Sequence, residues 1–197
     1  MQGYKSVIIF QVVLLAIQGA AYLLIQHSKH PVHDMVRPID HKIPLVPQFI
    51  FVYVTWYPLI GVFPLILYGY DPAVYQAYIV SIIVDIIISL TVYWFYPTSF
   101  VRPKPPKDSL SGRALGIMYI VDYKGRNCMP SMHCSMCYII LYYTFVCTAM
   151  PDGLAAGLIA LCTFIVLGTV FTKQHVLVDV ITALPVSIVC IIAASLI

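Results

Sequence analysis

The chain has 197 residues, 61% of them hydrophobic and 10% charged, with 11 Lys and Arg against 8 Asp and Glu and a formal net charge of +3. A mean hydropathy of +0.91 is more apolar than a water-soluble domain can conceal. The small positive charge argues against a nucleic acid partner, and what remains is a single all-α domain over residues 1–197, embedded in a bilayer.

Six apolar runs have about the 20 residues needed to cross a hydrocarbon core roughly 30 Å thick. They fall near 5–25, 48–69, 74–96, 132–150, 153–171 and 174–195. The first is too long for the apolar core of a signal peptide and has no small-residue cleavage site, so it reads as a retained span. The loop after it, "HSKHPVHDMVRPIDHK", carries His27, His30, His33, Asp34 and His41. Those residue types can ligate a metal. Pro31 breaks any helix there and the spacing defines no tetrahedron, so a solvated polar loop is expected.

Aromatic residues gather at the ends of the second and third runs, as Tyr53, Trp56 and Tyr57 and as Tyr93, Trp94 and Tyr96. Interfacial anchoring accounts for such clusters. Asp85 lies mid-run in "IVSIIVDIIISL" and must be neutral or hydrogen bonded, with Ser81 or Ser89 as candidate partners. An acid at that depth can relay protons or ions, which keeps a membrane transporter as an alternative. The runs lack the paired broken segments of a repeat transporter.

The longest loop starts with "YPTSFVRPKPPKD", whose four prolines forbid a continuous helix. "SLSGRALGIMYIVDYK" follows, with Leu110, Ala114, Ile117, Met118 and Val121 at helical spacing. This predicts a short helix in the membrane interface, roofing a site below it. Six spans place residues 26–47, 97–131 and 172–174 on one side. All Lys and Arg residues except Lys5 lie there. As topology, the bias makes that side cytoplasmic; as function, it is a cationic platform for an anionic substrate. The six cysteines, 128, 134, 137, 147, 162 and 190, read as packing residues rather than a disulfide framework. The CxxC of Cys134 and Cys137 lacks the exposed, electropositive setting of a redox pair.

Two stretches carry chemistry. "FTKQHVLVDV" puts His175 and Asp179 four residues apart, on one face if the segment is helical. An imidazole fixed by a carboxylate presents its other nitrogen as a lone pair, and an intramembrane acid needs such a partner. "NCMPSMHCSMCY" contributes Ser131 and His133 at the start of the fourth run, and Arg102 follows the third. Arginine and helix N-terminal amides bind phosphate. A nucleophilic histidine, a second histidine as acid and surrounding cations suffice for phosphoryl transfer without a metal. His133, His175 and Asp179 are also a possible zinc set, which a chelator would reveal.

"VRP", "PSMH" and "TKQHVLVD" resemble the three signature segments of the type 2 phosphatidic acid phosphatase superfamily. The wording "YPT…RP", "NCMPSMH" and "FTKQH…D", with "IPLVPQFIFVYVTWYPLI" upstream, is similar to its branch related to inositol phosphorylceramide synthases. The likeness extends over roughly residues 40–182. It implies a six-span helical fold and cofactor-free, metal-independent chemistry on a lipid phosphate or pyrophosphate through a phosphohistidine, at an extracytoplasmic or lumenal face. The resemblance implies His175 as nucleophile, Asp179 as its orienting acid, His133 as proton donor to the leaving oxygen, and Arg102 and Ser131 as phosphate holders. Phe95, Met132 and the pair Gly168–Thr169 stand where the family has lysine, glycine and Ser-Arg. Two cations are therefore missing, for which Lys173 and Arg126 are candidate replacements. Hydrolysis is the first expectation and transfer to a lipid hydroxyl, as in inositol phosphorylceramide or sphingomyelin synthases, the alternative.

Overall fold

The computed structural model describes residues 2–27, 29–122 and 125–197. Helix α1 spans Gln2–Ile25. A 3₁₀ turn at Pro47–Phe49 runs through the single turn α2, Ile50–Tyr53, into α3, Trp56–Tyr70. Asp71 then starts α4, Pro72–Phe95: its carboxylate accepts from the N–H groups of Ala73 and Val74, with Pro72 at the first helical position. Ser109 caps α5, Leu110–Val121, and Ser131 caps α6, Met132–Val146. Helices α7, Asp152–Phe171, and α8, Leu177–Ser195, complete the chain.

The all-α reading holds, and among the described residues five segments are long and apolar enough to cross a membrane: Gly3–Ile25, Pro47–Tyr70, Pro72–Phe95, Asp152–Phe171 and Leu177–Ser195. The expected fourth run to residue 150 is shorter. Helix α6 has 15 residues, about 22 Å of rise, because the chain leaves the helix at Cys147 and turns through Thr148–Met150 before Pro151. Apolar residues continue past the helix end, which is why composition overran it. Packed on α3, α4, α7 and α8, α6 buries Met136, Cys137, Ile139 and Ile140 at the centre of the bundle. Outward faces are apolar too, with Ile9, Val12, Leu24, Ile87 and Phe145 exposed, the inverse of a surface built for water.

Asp85 is fully buried, and its Oδ2 accepts from Ser135 Oγ of α6 at 2.9 Å. The partner is therefore on another helix, neither Ser81 nor Ser89. Ser81 donates back to Ala77 O and meets Tyr143 Oη across the bundle at 2.9 Å, as helical serines one turn away tend to do.

At one end of the bundle the three polar loops are tied together. His33–Asp34 (β1) and Thr98–Ser99 (β2) form a two-residue parallel ladder, so the histidine-rich loop is not wholly irregular. Lys173 Nζ donates to the carbonyls of Asp40 and Ile43, and Asp40 Oδ1 accepts from Leu177 N at the head of α8. The short helix α5 exists within the predicted stretch, whose last residues, Tyr123 and Lys124, lie outside the described residues. Its Leu115 packs on Ile50 and Tyr53 while Leu110, Ile117, Ile120 and Val121 face outward. Gly112 lets the proline-rich loop pass close over the first turn of α5, since a Cβ there would lie 2.0 Å from Pro106 O.

Candidate active site

His175 precedes α8 rather than riding on it. After α7 the backbone turns through Lys173, held at φ 52, and the amides of Gln174 and His175 both donate to Thr169 O, at 2.9 and 3.0 Å. Asp179, the third residue of α8, reaches back: its Oδ2 accepts from Val176 N at 3.0 Å and lies 3.2 Å from His175 Nδ1. The expected pairing thus arises across a helix start instead of along a helix face. No Ser, Thr, Asp or Asn occupies the cap position, and the carboxylate does the capping work from inside the first turn. With Nδ1 engaged, Nε2 is the nitrogen left to react.

His133 sits in the first turn of α6, and its ring centroid lies 5.6 Å from that of His175. The two loops are joined directly, because Ser131 N donates to Asp179 O at 3.0 Å. Their approach follows from Thr98, whose Oγ1 accepts from Cys128 N and Met129 N while its carbonyl accepts from Asn127 N. Tyr93 Oη adds a 2.6 Å bond to Pro130 O. The path into α6 is therefore set by the end of α4.

Three aromatic residues surround His133: Trp56 at 4.1 Å, Tyr53 at 4.7 Å and Tyr57 edge-on at 6.1 Å. Tyr53 and Trp56 are 3% and 5% exposed, so interfacial anchoring is not their place; they wall the site. Tyr57, Trp94 and Tyr96 remain exposed.

His175 borders two cavities. The inner one, about 430 Å³, lies between α1, α3 and the head of α6, and His133, Arg126, Asn127 and Cys128 also line it. Several of the residues that line it carry a buried atom without a hydrogen-bond partner: Gln18 Oε1, Trp56 Nε1, both polar atoms of the Asn127 amide, His133 Nε2 and Gln174 Nε2. Each such atom costs about 1–3 kcal/mol if left dry, so the cavity is bordered by polar groups whose hydrogen bonding the protein itself leaves incomplete. The outer cleft, on the other side of His175, is lined by Arg102, Lys173, His41 and Asp40.

The proposed phosphate holders are accordingly divided. Arg126 faces the inner cavity with His133, whereas Arg102 and Lys173 face the outer cleft. Arg102 pairs with the Asp122 carboxylate, donates to Asp122 O at 2.8 Å and lies over the Tyr119 ring. Burial works against its charge, but the Asp122 carboxylate outweighs burial and holds the guanidinium above its ordinary range. Burial pulls the Lys173 ammonium below its ordinary value, with Asp40 opposing. Ser131 is fully buried, and its hydroxyl oxygen accepts from Cys134 N at 3.3 Å; it lines neither cavity. Of the departures from the family pattern, Met132 accepts from Gln18 Nε2, Thr169 organises the His175 turn, and Phe95 points outward.

Sequence reading overlooked the wall contributed by α1. Gln11 and Gln18 on α1 and Gln26 just past its end are buried on a largely exposed segment and reach Ile60 O, Met132 Sδ and Asp122 Oδ1; Gln18 and Gln26 line the inner cavity. Their spacing of seven and eight residues puts them on one helical face, a signal available in the sequence. Cys128, beside the histidine–carboxylate pair, carried no such signal. Cys134 and Cys137 are buried and free. A comparison with known proteins finds no family model, curated protein or solved structure that matches this chain.

Proposed function

We propose that the chain is an integral membrane lipid phosphatase of the type 2 phosphatidic acid phosphatase kind, acting on a lipid phosphate or pyrophosphate through a phosphohistidine and without a metal. The observation that carries this reading is the 5.6 Å approach of the His133 and His175 rings on one cavity, with His175 Nδ1 held by Asp179. A phosphate between two such rings meets a nucleophile on one side and a proton donor on the other. His175 Nε2 attacks phosphorus, the lipid alcohol leaves with a proton from His133, and water then releases phosphate from His175. Arg126 lies on the cavity side of the reacting phosphate, while Arg102 and Lys173 hold the loops that frame it.

In this reading α6 is also a span, the fourth of six in chain order, its shortness tolerated because other helices cover it and a cavity opens above it. The outward Leu110, Ile117 and Ile120 of α5 rest in the interface. A transferase reading is favoured by one observation: the unpartnered donors and acceptors of the inner cavity extend beyond what one phosphate can satisfy, and a second hydroxylated head group would engage them. Purified protein given labelled phosphatidic acid, isoprenoid pyrophosphate and phosphatidylinositol, with and without ceramide or diacylglycerol, tests both. Phosphate release without an acceptor lipid supports the phosphatase; labelled product only in the presence of an acceptor replaces it with the transferase; turnover of none of them removes both.

A further inference from the structure

Cys128 Sγ, a ring nitrogen of His175 and a carboxylate oxygen of Asp179 all lie within 4.8 Å of one another, and all three residues are buried. Two ligands at about 2.0–2.1 Å from one tetrahedral zinc ion stand roughly 3.3 Å apart. The His175 Nδ1 to Asp179 Oδ2 separation, 3.2 Å, already has that value. An independent sign comes from Asp179: its side chain is fully buried, yet Oδ1 has no hydrogen-bond partner. Cys128 and His175 also line the inner cavity, which gives an ion a route to them.

We propose that Cys128, His175 and Asp179 form a zinc site whose occupation inhibits the enzyme. Thiolate, imidazole and carboxylate together select zinc over magnesium or calcium, which prefer all-oxygen shells. The metal-free arrangement is self-sufficient, because Asp179 Oδ2 is satisfied by His175 and Val176 N; the ion is therefore a competitor for these groups and not a prerequisite for their geometry. Ligation ties up the His175–Asp179 pair and places a cation where the phosphoryl group must pass. Burial, helped by the Asp179 charge, holds the Cys128 thiol protonated in the metal-free protein, and the ion displaces that proton to solvent. The inhibitory half rests on the reading of His175 as nucleophile; the metal-binding half does not.

The test uses the full chain in detergent, titrated with cobalt as a spectroscopic stand-in and with zinc. The wild type is expected to show a thiolate-to-cobalt charge-transfer band that zinc displaces. Cys128→Ser loses the band and binds zinc more weakly by at least the roughly 10–100-fold that outer partners of a metal site cost. Cys134→Ser, a buried thiol outside the set, keeps the band and controls for folding. No band in the wild type, or a band that survives Cys128→Ser, overturns the site. In turnover of short-chain phosphatidic acid, zinc inhibits the wild type and a chelator restores it, whereas Cys128→Ser keeps its own zinc-free rate at zinc concentrations that silence the wild type. Equal zinc sensitivity in Cys128→Ser, or turnover that requires zinc, overturns inhibition at this site. A protein that gives the band but hydrolyses no lipid phosphate keeps the metal site and loses the phosphatase.

Discussion

The two cavities on either side of His175 differ in what their polar groups have left to offer. In the outer cleft most of the charge is engaged: Lys173 Nζ has two carbonyls and Arg102 has the Asp122 carboxylate, although its Nε stays buried without a partner. In the inner cavity Gln18, Trp56, Asn127, His133 and Gln174 each keep a buried atom without a partner. A cation counted from sequence can thus be structural, while neutral residues that attract no notice line a cavity and keep unpartnered polar atoms. The proposed function accordingly puts binding and chemistry in the inner cavity and loop cohesion in the outer cleft.

The largest effect expected from this contrast is at the shared residue. His175→Ala should lower turnover by about four to six orders of magnitude, the loss typical of a nucleophile in a triad-like unit. Rapid-quench assays on folded protein check it, and substantial residual activity would remove His175 from the chemistry. On the inner side, His133→Gln should lower the maximal rate by roughly 10²–10⁴, while activity toward a substrate with a leaving group that needs no proton falls much less. Equal losses for both leaving groups would deny His133 its role as acid.

Gln18→Leu sharpens the comparison further. It removes an acceptor from the inner wall without touching either histidine, and should raise KM by about tenfold, the equivalent of one hydrogen bond, with kcat little changed. The outer cleft should answer differently. Arg102→Met leaves the Asp122 carboxylate without its ion pair and should destabilise the protein by about 1–3 kcal/mol, read as a lower denaturation midpoint, with turnover per folded molecule largely kept. Lys173→Met should act in the same sense and more weakly. A selective collapse of kcat in either variant, at normal stability, would move the phosphate to the outer side.

Much of the fold is legible because a bilayer dictates length: the apolar runs near 5–25, 74–96 and 153–171 match α1, α4 and α7 closely. The error at α6 has the same origin, since Cys147, Ala149 and Met150 are apolar but turn away before Pro151. The spacing of His175 and Asp179 pointed to their contact, yet the contact forms by the carboxylate folding back over the helix start, a geometry that periodicity does not describe. The aromatic wall was hidden because Tyr53 and Trp56 have the composition of an interfacial belt; only the packing of α2 and α3 on the head of α6 turns them inward. The division of cations between two cavities depends on where Asp122 and the carbonyls of Asp40 and Ile43 lie, and these are long-range placements that the local sequence of Arg102 or Lys173 does not encode.

The most direct test of the central claim is to trap the covalent enzyme. Wild-type protein quenched during turnover of phosphorus-labelled lipid phosphate, digested under alkaline conditions and analysed by mass spectrometry, should carry an acid-labile phosphoryl group on His175, absent from His175→Asn. Turnover with no label on that ring, or with the label on another residue, would contradict the account.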